Sequence, residues 1–223
     1  MSATVAGTGS RFYETAIGKK IVMAVTGVML VGFVLMHMAG NLQLFGGADK
    51  FNHYAQLLRT SMPLLWTARI VLIAAVALHV RAALQLYALK AAARPVAYAK
   101  KAHRGATLAS RTMIWSGYGL ALFIVLHILH ITTGTVHSDF VEGDVFHNVT
   151  SAFKNPLIAG AYVVSMGFLY MHISHGIFSL TQSLGLSHPR YSATAKIVAR
   201  VLSVIIAVGF AAVPIAILAA IVK

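Results

Sequence analysis

Residues 21–40 read IVMAVTGVMLVGFVLMHMAG, a stretch with no charged side chain and one histidine, His37, near its far end. At 1.5 Å rise per residue such a helix is about 30 Å long, the thickness of a bilayer's hydrocarbon core. Four further windows have the same character: Leu64–Leu89, which holds Arg69 and Arg81, Met113–Thr133, Leu157–Leu180 and Ile197–Val222. The composition agrees, with 58% hydrophobic and 10% charged residues and a positive mean hydropathy. The expected fold class is therefore an all-α integral membrane protein, a single domain over residues 1–223 with five transmembrane helices, the first four forming a bundle. The apolar run after the polar first twenty residues is too long for a signal-peptide core and reads as a retained helix.

The connecting segments carry turn chemistry: Gly46-Gly47-Ala48-Asp49, Arg94-Pro95, Glu142-Gly143-Asp144, Asn155-Pro156 and His188-Pro189. The formal net charge of +13 is distributed unevenly between the two sides. Arg11, Lys19 and Lys20, six Lys or Arg from Lys90 to Arg111, and Arg190, Lys196 and Arg200 make twelve on one side. Lys50, Arg59, Lys154 and Lys223 make four on the other. The positive-inside rule places the N-terminus in the cytoplasm and the C-terminus outside. The same bias accounts for most of the charge, so no nucleic-acid partner is expected, and the basic inner face suits an acidic soluble partner and membrane lipid. Cysteine is absent, which excludes disulfides, cysteine-held iron–sulfur clusters and thioether-linked haem.

An internal repeat runs through the first four windows. Thr26-Gly27, Phe33-Val34 and His37 correspond to Ser116-Gly117, Phe123-Ile124 and His127, with the same ten-residue offset from glycine to histidine. Pro63-Leu64 stands sixteen residues before His79, as Pro156-Leu157 does before His172. Spans one and two thus resemble spans three and four.

Histidine inside a span needs a partner. His37 and His127 lie about 25 Å from the inner boundary, and His79 and His172 about 16 Å. Two pairs at two depths are what two bis-histidine haems require: one axial imidazole from each of two facing helices at one level. Gly40 and Gly176, one turn from His37 and His172, are expected to give a macrocycle room. Zinc is the rival, but a closed site needs four converging ligands and no span holds a carboxylate or cysteine. Simple hydrogen bonding between helices is the other reading. His130 and His175 lie three residues after His127 and His172 and stay open as alternative ligands, propionate partners or solvent-gated groups. His53, His103, His137, His147 and His188 fall in loops and are expected at the solvated surface. Two roles stay open for Arg81, a haem propionate partner or a cation reaching the headgroups; Arg69, near Trp66, has the same two.

The segments Gly18 to Gly27, His37-Met38-Ala39-Gly40-Asn41-Leu42, Phe51-Asn52 with Tyr54-Ala55, His172-Ile173-Ser174-His175-Gly176, Ser179, Gln182, Gly185 and Pro189-Arg190-Tyr191 together resemble a known family. It is the single-chain dihaem cytochrome b membrane anchors, b558 type, of succinate dehydrogenase and fumarate reductase. The resemblance covers nearly the whole chain. It implies two haem b groups, His37 and His127 holding the distal one and His79 and His172 the proximal one. It also implies a flavoprotein subunit, an iron–sulfur subunit on the cytoplasmic face of a bacterial inner membrane, and electron transfer to menaquinone or another quinone. Asn41, Gln43, Asp49 and His53 are candidates for the quinone site. One departure is Tyr170, which stands where a branch of the family carries a proton-conducting glutamate; that path is in doubt here. Two other functions remain open: a dihaem anchor for a different dehydrogenase, and a cofactor-free transporter.

Overall fold

A computed structural model describes residues 12–93 and 106–222. The expected sites at Arg11, Arg94-Pro95, Lys100, Lys101, His103, Arg104 and Lys223 lie outside these residues. All regular structure among the described residues is helical. Five helices are long and apolar enough to cross a membrane: Ala16–Gly46, Met62–Ala92, Met113–Thr132, Pro156–Ser183 and Pro189–Leu218. We label the regular helices α1 (Ala16–Asn41), α2 (Ala48–Leu57), α3 (Met62–Ala92), α4 (Met113–His127), α5 (Val145–Phe153), α6 (Pro156–Ser183) and α7 (Pro189–Leu218).

The helix starts follow from local chemistry. The Thr15 hydroxyl accepts the Gly18 N–H at 2.9 Å to open α1, and Asn155 Oδ1 accepts the Leu157 N–H at 2.9 Å to open α6. Pro156 and Pro189 occupy first-turn positions where a missing N–H costs nothing. The loop signals Asn155-Pro156 and His188-Pro189 are therefore helix caps. The spans extend beyond the apolar windows at most ends, while the fifth stops at Leu218, short of Val222. The third does not continue as α-helix: α4 stops at His127 and a π turn, Ile128–Thr132, follows. Such a turn inserts an extra residue and changes where later side chains point.

Helix α1 packs against α3 and α6, α4 packs against α6, and α7 lies against both α6 and α1. Lipid tails are as apolar as leucine, so these contacts depend on close fit rather than on escape from water. Small residues provide it: Ala75, Ala82, Ala159, Ala199 and Ser203 are buried at the helix contacts. Met38, Ile173 and Ile206 form one core where α1, α6 and α7 meet. Large apolar side chains face outward instead, Leu157 being 83% exposed, which is what lipid contact requires of these helices.

Opposite the predicted basic face, α2, α5 and the 3-10 turn Leu42–Gly46 cover the ends of the spans. Their apolar sides join a second core of Leu44, Phe51, Val149 and Phe153 with Val213 and Ile217 of α7. Asn52 fastens α2 to α5: its amide donates to Asp144 Oδ1 at 2.9 Å, and its oxygen accepts the Phe146 N–H at 2.9 Å. Asp144 also accepts the His147 N–H at 2.9 Å as the α5 cap. That backbone N–H, and then the Asn52 amide, hold the Asp144 carboxyl below its ordinary pKa.

A carboxylate held this way favours the folded state above its ordinary pKa, and that contribution disappears as pH falls through the depressed value. Thermal melts of detergent-solubilised protein should accordingly show a loss of stability below about pH 4 that is reduced in Asp144→Asn. Identical pH profiles for the two proteins would show that Asp144 contributes nothing to the cap.

Candidate cofactor site

The four span histidines face one another in the pairs that depth predicts. His37 on α1 and His127 on α4 have ring centroids 5.9 Å apart at an interplanar angle of 76°. His79 on α3 and His172 on α6 have centroids 6.2 Å apart at 56°. All four rings are half-buried. A direct N–H···N bond of about 3 Å, with about 1 Å from nitrogen to ring centre on each side, gives centroids at most about 5 Å apart. Both pairs exceed that. Two imidazoles bound on opposite sides of one metal, at about 2 Å each, have centroids about 6 Å apart. The observed spacing fits the second case. Among the described residues, no group of three or more His, Cys, Asp or Glu side chains could hold a metal ion. The donor set at each level is thus a facing imidazole pair, suited to a ligand that supplies the remaining coordination itself, as a porphyrin does.

The sequence repeat is reproduced in the contacts. On α1 the Thr26 hydroxyl donates to the Val22 carbonyl at 2.7 Å and lies 3.2 Å from His79 Nδ1. On α4 the Ser116 hydroxyl donates to the Met113 carbonyl at 3.0 Å and lies 3.5 Å from His172 Nδ1. A Cβ on Gly27 would stand 3.5 Å from His79 Cε1, and one on Gly117 3.6 Å from His172 Cε1. Phe33 stacks on His37 with centroids 5.3 Å apart, and Phe123 stacks on His127 at 5.6 Å. Because Gly27 marks the level of His79 on α1, and Gly117 that of His172 on α4, the ten residues to His37 and His127 put the two pairs about 15 Å apart along each helix, rather than the roughly 9 Å implied by counting from the basic flanks.

Some expectations need correction. The room at Gly40 belongs to Tyr54 of α2, whose hydroxyl would lie 2.6 Å from an added Cβ. At Gly176 space does remain, since an added Cβ would meet only Met113 Cε, 3.9 Å away. Gly27 and Gly117 are the glycines that adjoin site rings. His137, expected at the solvated surface, is half-buried with its ring 4.8 Å from that of His130. The π turn buries His130, whose Nδ1 lies 3.0 Å from the Tyr162 hydroxyl. The same hydroxyl lies 3.4 Å from His127 Nδ1, so Tyr162 joins the His37–His127 pair to His130. His137 Nε2 meets Ser151 Oγ at 3.2 Å, and its buried Nδ1 has no hydrogen-bond partner. Nothing in the sequence marked Tyr162 or His137. Thr26 and Ser116 were visible as repeat markers but not as histidine partners.

Asn41 donates to the His37 carbonyl at 2.8 Å, and its amide lies 3.4 Å from both ring nitrogens. Gln43 is half-buried in the 3-10 turn, while Asp49 and His53 are exposed on α2. Arg81 is exposed with its guanidinium 5.6 Å from the Tyr13 ring centre, and Arg69 lies 5.0 Å from that of Trp66.

A large side chain at position 117 meets the His172 ring, since an added Cβ already stands 3.6 Å from Cε1. Gly117→Leu is expected to lower thermal stability in detergent by about 1–3 kcal/mol, whereas Gly160→Leu, with nothing within 4 Å of its Cβ, should change it by no more than about 0.5 kcal/mol. Equal effects at the two positions would contradict the close approach of α4 to His172.

Comparison with protein-family models, curated proteins and solved structures yields no match for this chain.

Proposed function

We propose that the chain is the membrane anchor and electron-transfer subunit of a succinate:quinone oxidoreductase, with two haem b groups held by His37 and His127 and by His79 and His172. The observation that supports this reading most is that two histidine pairs face each other with ring centroids 5.9 and 6.2 Å apart, on four helices that repeat one another in sequence and in contacts. Haem bound there supplies one-electron chemistry. The residues around it hold each imidazole, exclude water with apolar and aromatic side chains, and space the pairs about 15 Å apart by helix rise.

On this reading the inner pair lies toward the basic cytoplasmic face, where an iron–sulfur subunit and its flavoprotein partner dock. The outer pair lies beneath the α2–α5 cap, toward a quinone such as menaquinone. Asn41, adjoining His37, is the best placed of the four sequence candidates for a quinone contact. The chain itself carries no proposed succinate site; its enzymatic role is that of a subunit. His130 is bonded to Tyr162 and is assigned no ligand role.

Reduced-minus-oxidised spectra of single variants test the assignment. His37→Ala and His127→Ala should remove the same haem, His79→Ala and His172→Ala the other, and His130→Ala neither. Loss of a haem in His130→Ala, or retention of both in any of the four ligand variants, contradicts the pairing. In the same preparations, a copurifying flavoprotein with succinate activity separates this reading from an anchor of another dehydrogenase.

A further inference from the structure

The two histidine pairs meet different partners. In the inner pair the Thr26 hydroxyl lies 3.2 Å from His79 Nδ1 and the Ser116 hydroxyl 3.5 Å from His172 Nδ1. In the outer pair Phe33 stacks on His37 and Phe123 on His127, while the Asn41 amide lies 3.4 Å from the His37 ring nitrogens and the Tyr162 hydroxyl 3.4 Å from His127 Nδ1. Both hydroxyls direct their own proton elsewhere, to Val22 and Met113 carbonyls of their own helices. With its proton so directed, each hydroxyl oxygen is free to accept from the imidazole, an arrangement that puts the ring proton on Nδ1 and leaves the lone pair on Nε2. His79 has a second acceptor, the Met23 carbonyl at 3.2 Å from Nδ1.

We infer that Thr26 and Ser116 are positioning residues for the inner site. They fix the tautomer and rotation of His79 and His172 so that both present Nε2 to one ligand, and by accepting the Nδ1 proton they make these imidazoles stronger donors. This inference rests on the haem reading. An acceptor on the far nitrogen of a ligating histidine raises its basicity and favours the more oxidised metal. Removing the acceptor should raise the reduction potential of the inner group and leave the outer one unchanged. The effect should be larger for Ser116→Ala than for Thr26→Val, because the Met23 carbonyl still engages His79 when the Thr26 hydroxyl is gone.

The test is redox titration of the purified protein followed optically, with low-spin electron paramagnetic resonance on the same samples. The inner signal is identified as the one missing from His79→Ala. Expected results are an upward potential shift and a changed low-spin signal for the inner haem in Ser116→Ala, a smaller shift in Thr26→Val, and wild-type behaviour in Ser116→Thr and Thr26→Ser. Selective loss of the inner haem from Ser116→Ala, with the outer one retained, also supports a positioning role. An unchanged inner signal in both hydroxyl-deleting variants, or equal shifts of both haems, overturns the inference. Wild-type protein without haem would refute the haem reading itself, a separate and recognisable result.

Discussion

The structure depends on a single constraint: an imidazole set within an apolar span must be met by a partner, because hydrocarbon offers no water to solvate it. Four helices carry such a ring, and the fold brings each to the level of one other. The alternatives are distinguishable by size. A direct bond between rings needs centroids no more than about 5 Å apart, while opposed ligation of one metal needs about 6 Å. Both pairs have the larger spacing. Two independent helices, α1 and α4, each place the levels ten residues apart, so the separation is a property of the repeat rather than of one contact.

The rest of the architecture can be understood as support for those levels. At positions 27 and 117 a methyl-sized group would already touch His79 and His172, so glycine keeps larger side chains away from these rings. Side chains four residues before His37 and His127 stack on the outer rings, since residues four apart share a helix face. Helix α7, outside the repeat, packs on α1 and α6, where Ile206 meets Met38 and Ile173, and contributes Phe210 beside His37. The cap of α2 and α5, fastened by Asn52, encloses the end of the molecule nearest His37 and His127.

Much of this was legible in the sequence. Five apolar windows gave the spans, and counting residues from basic flanks gave the pairings, although it set the two levels only about 9 Å apart where the helices set them about 15 Å apart. The repeat identified Thr26-Gly27 and Ser116-Gly117 before any contact was known. What could not be read was which neighbour fills each space. Gly40 looked like room for a flat ligand, yet it receives Tyr54 from a short helix whose packing no local pattern specifies. The π turn at Ile128–Thr132 has no local sequence signal, and it buries His130 near His137, which loop polarity had assigned to the surface. The loop residues Asp49 and His53 were chosen for polarity alone, and they are exposed.

The proposed redox role turns on whether each facing pair binds one haem. The most direct measurement is haem stoichiometry by pyridine haemochrome on purified protein of known concentration. The account predicts two haem b per chain. No haem, or one per chain in intact protein, would contradict it.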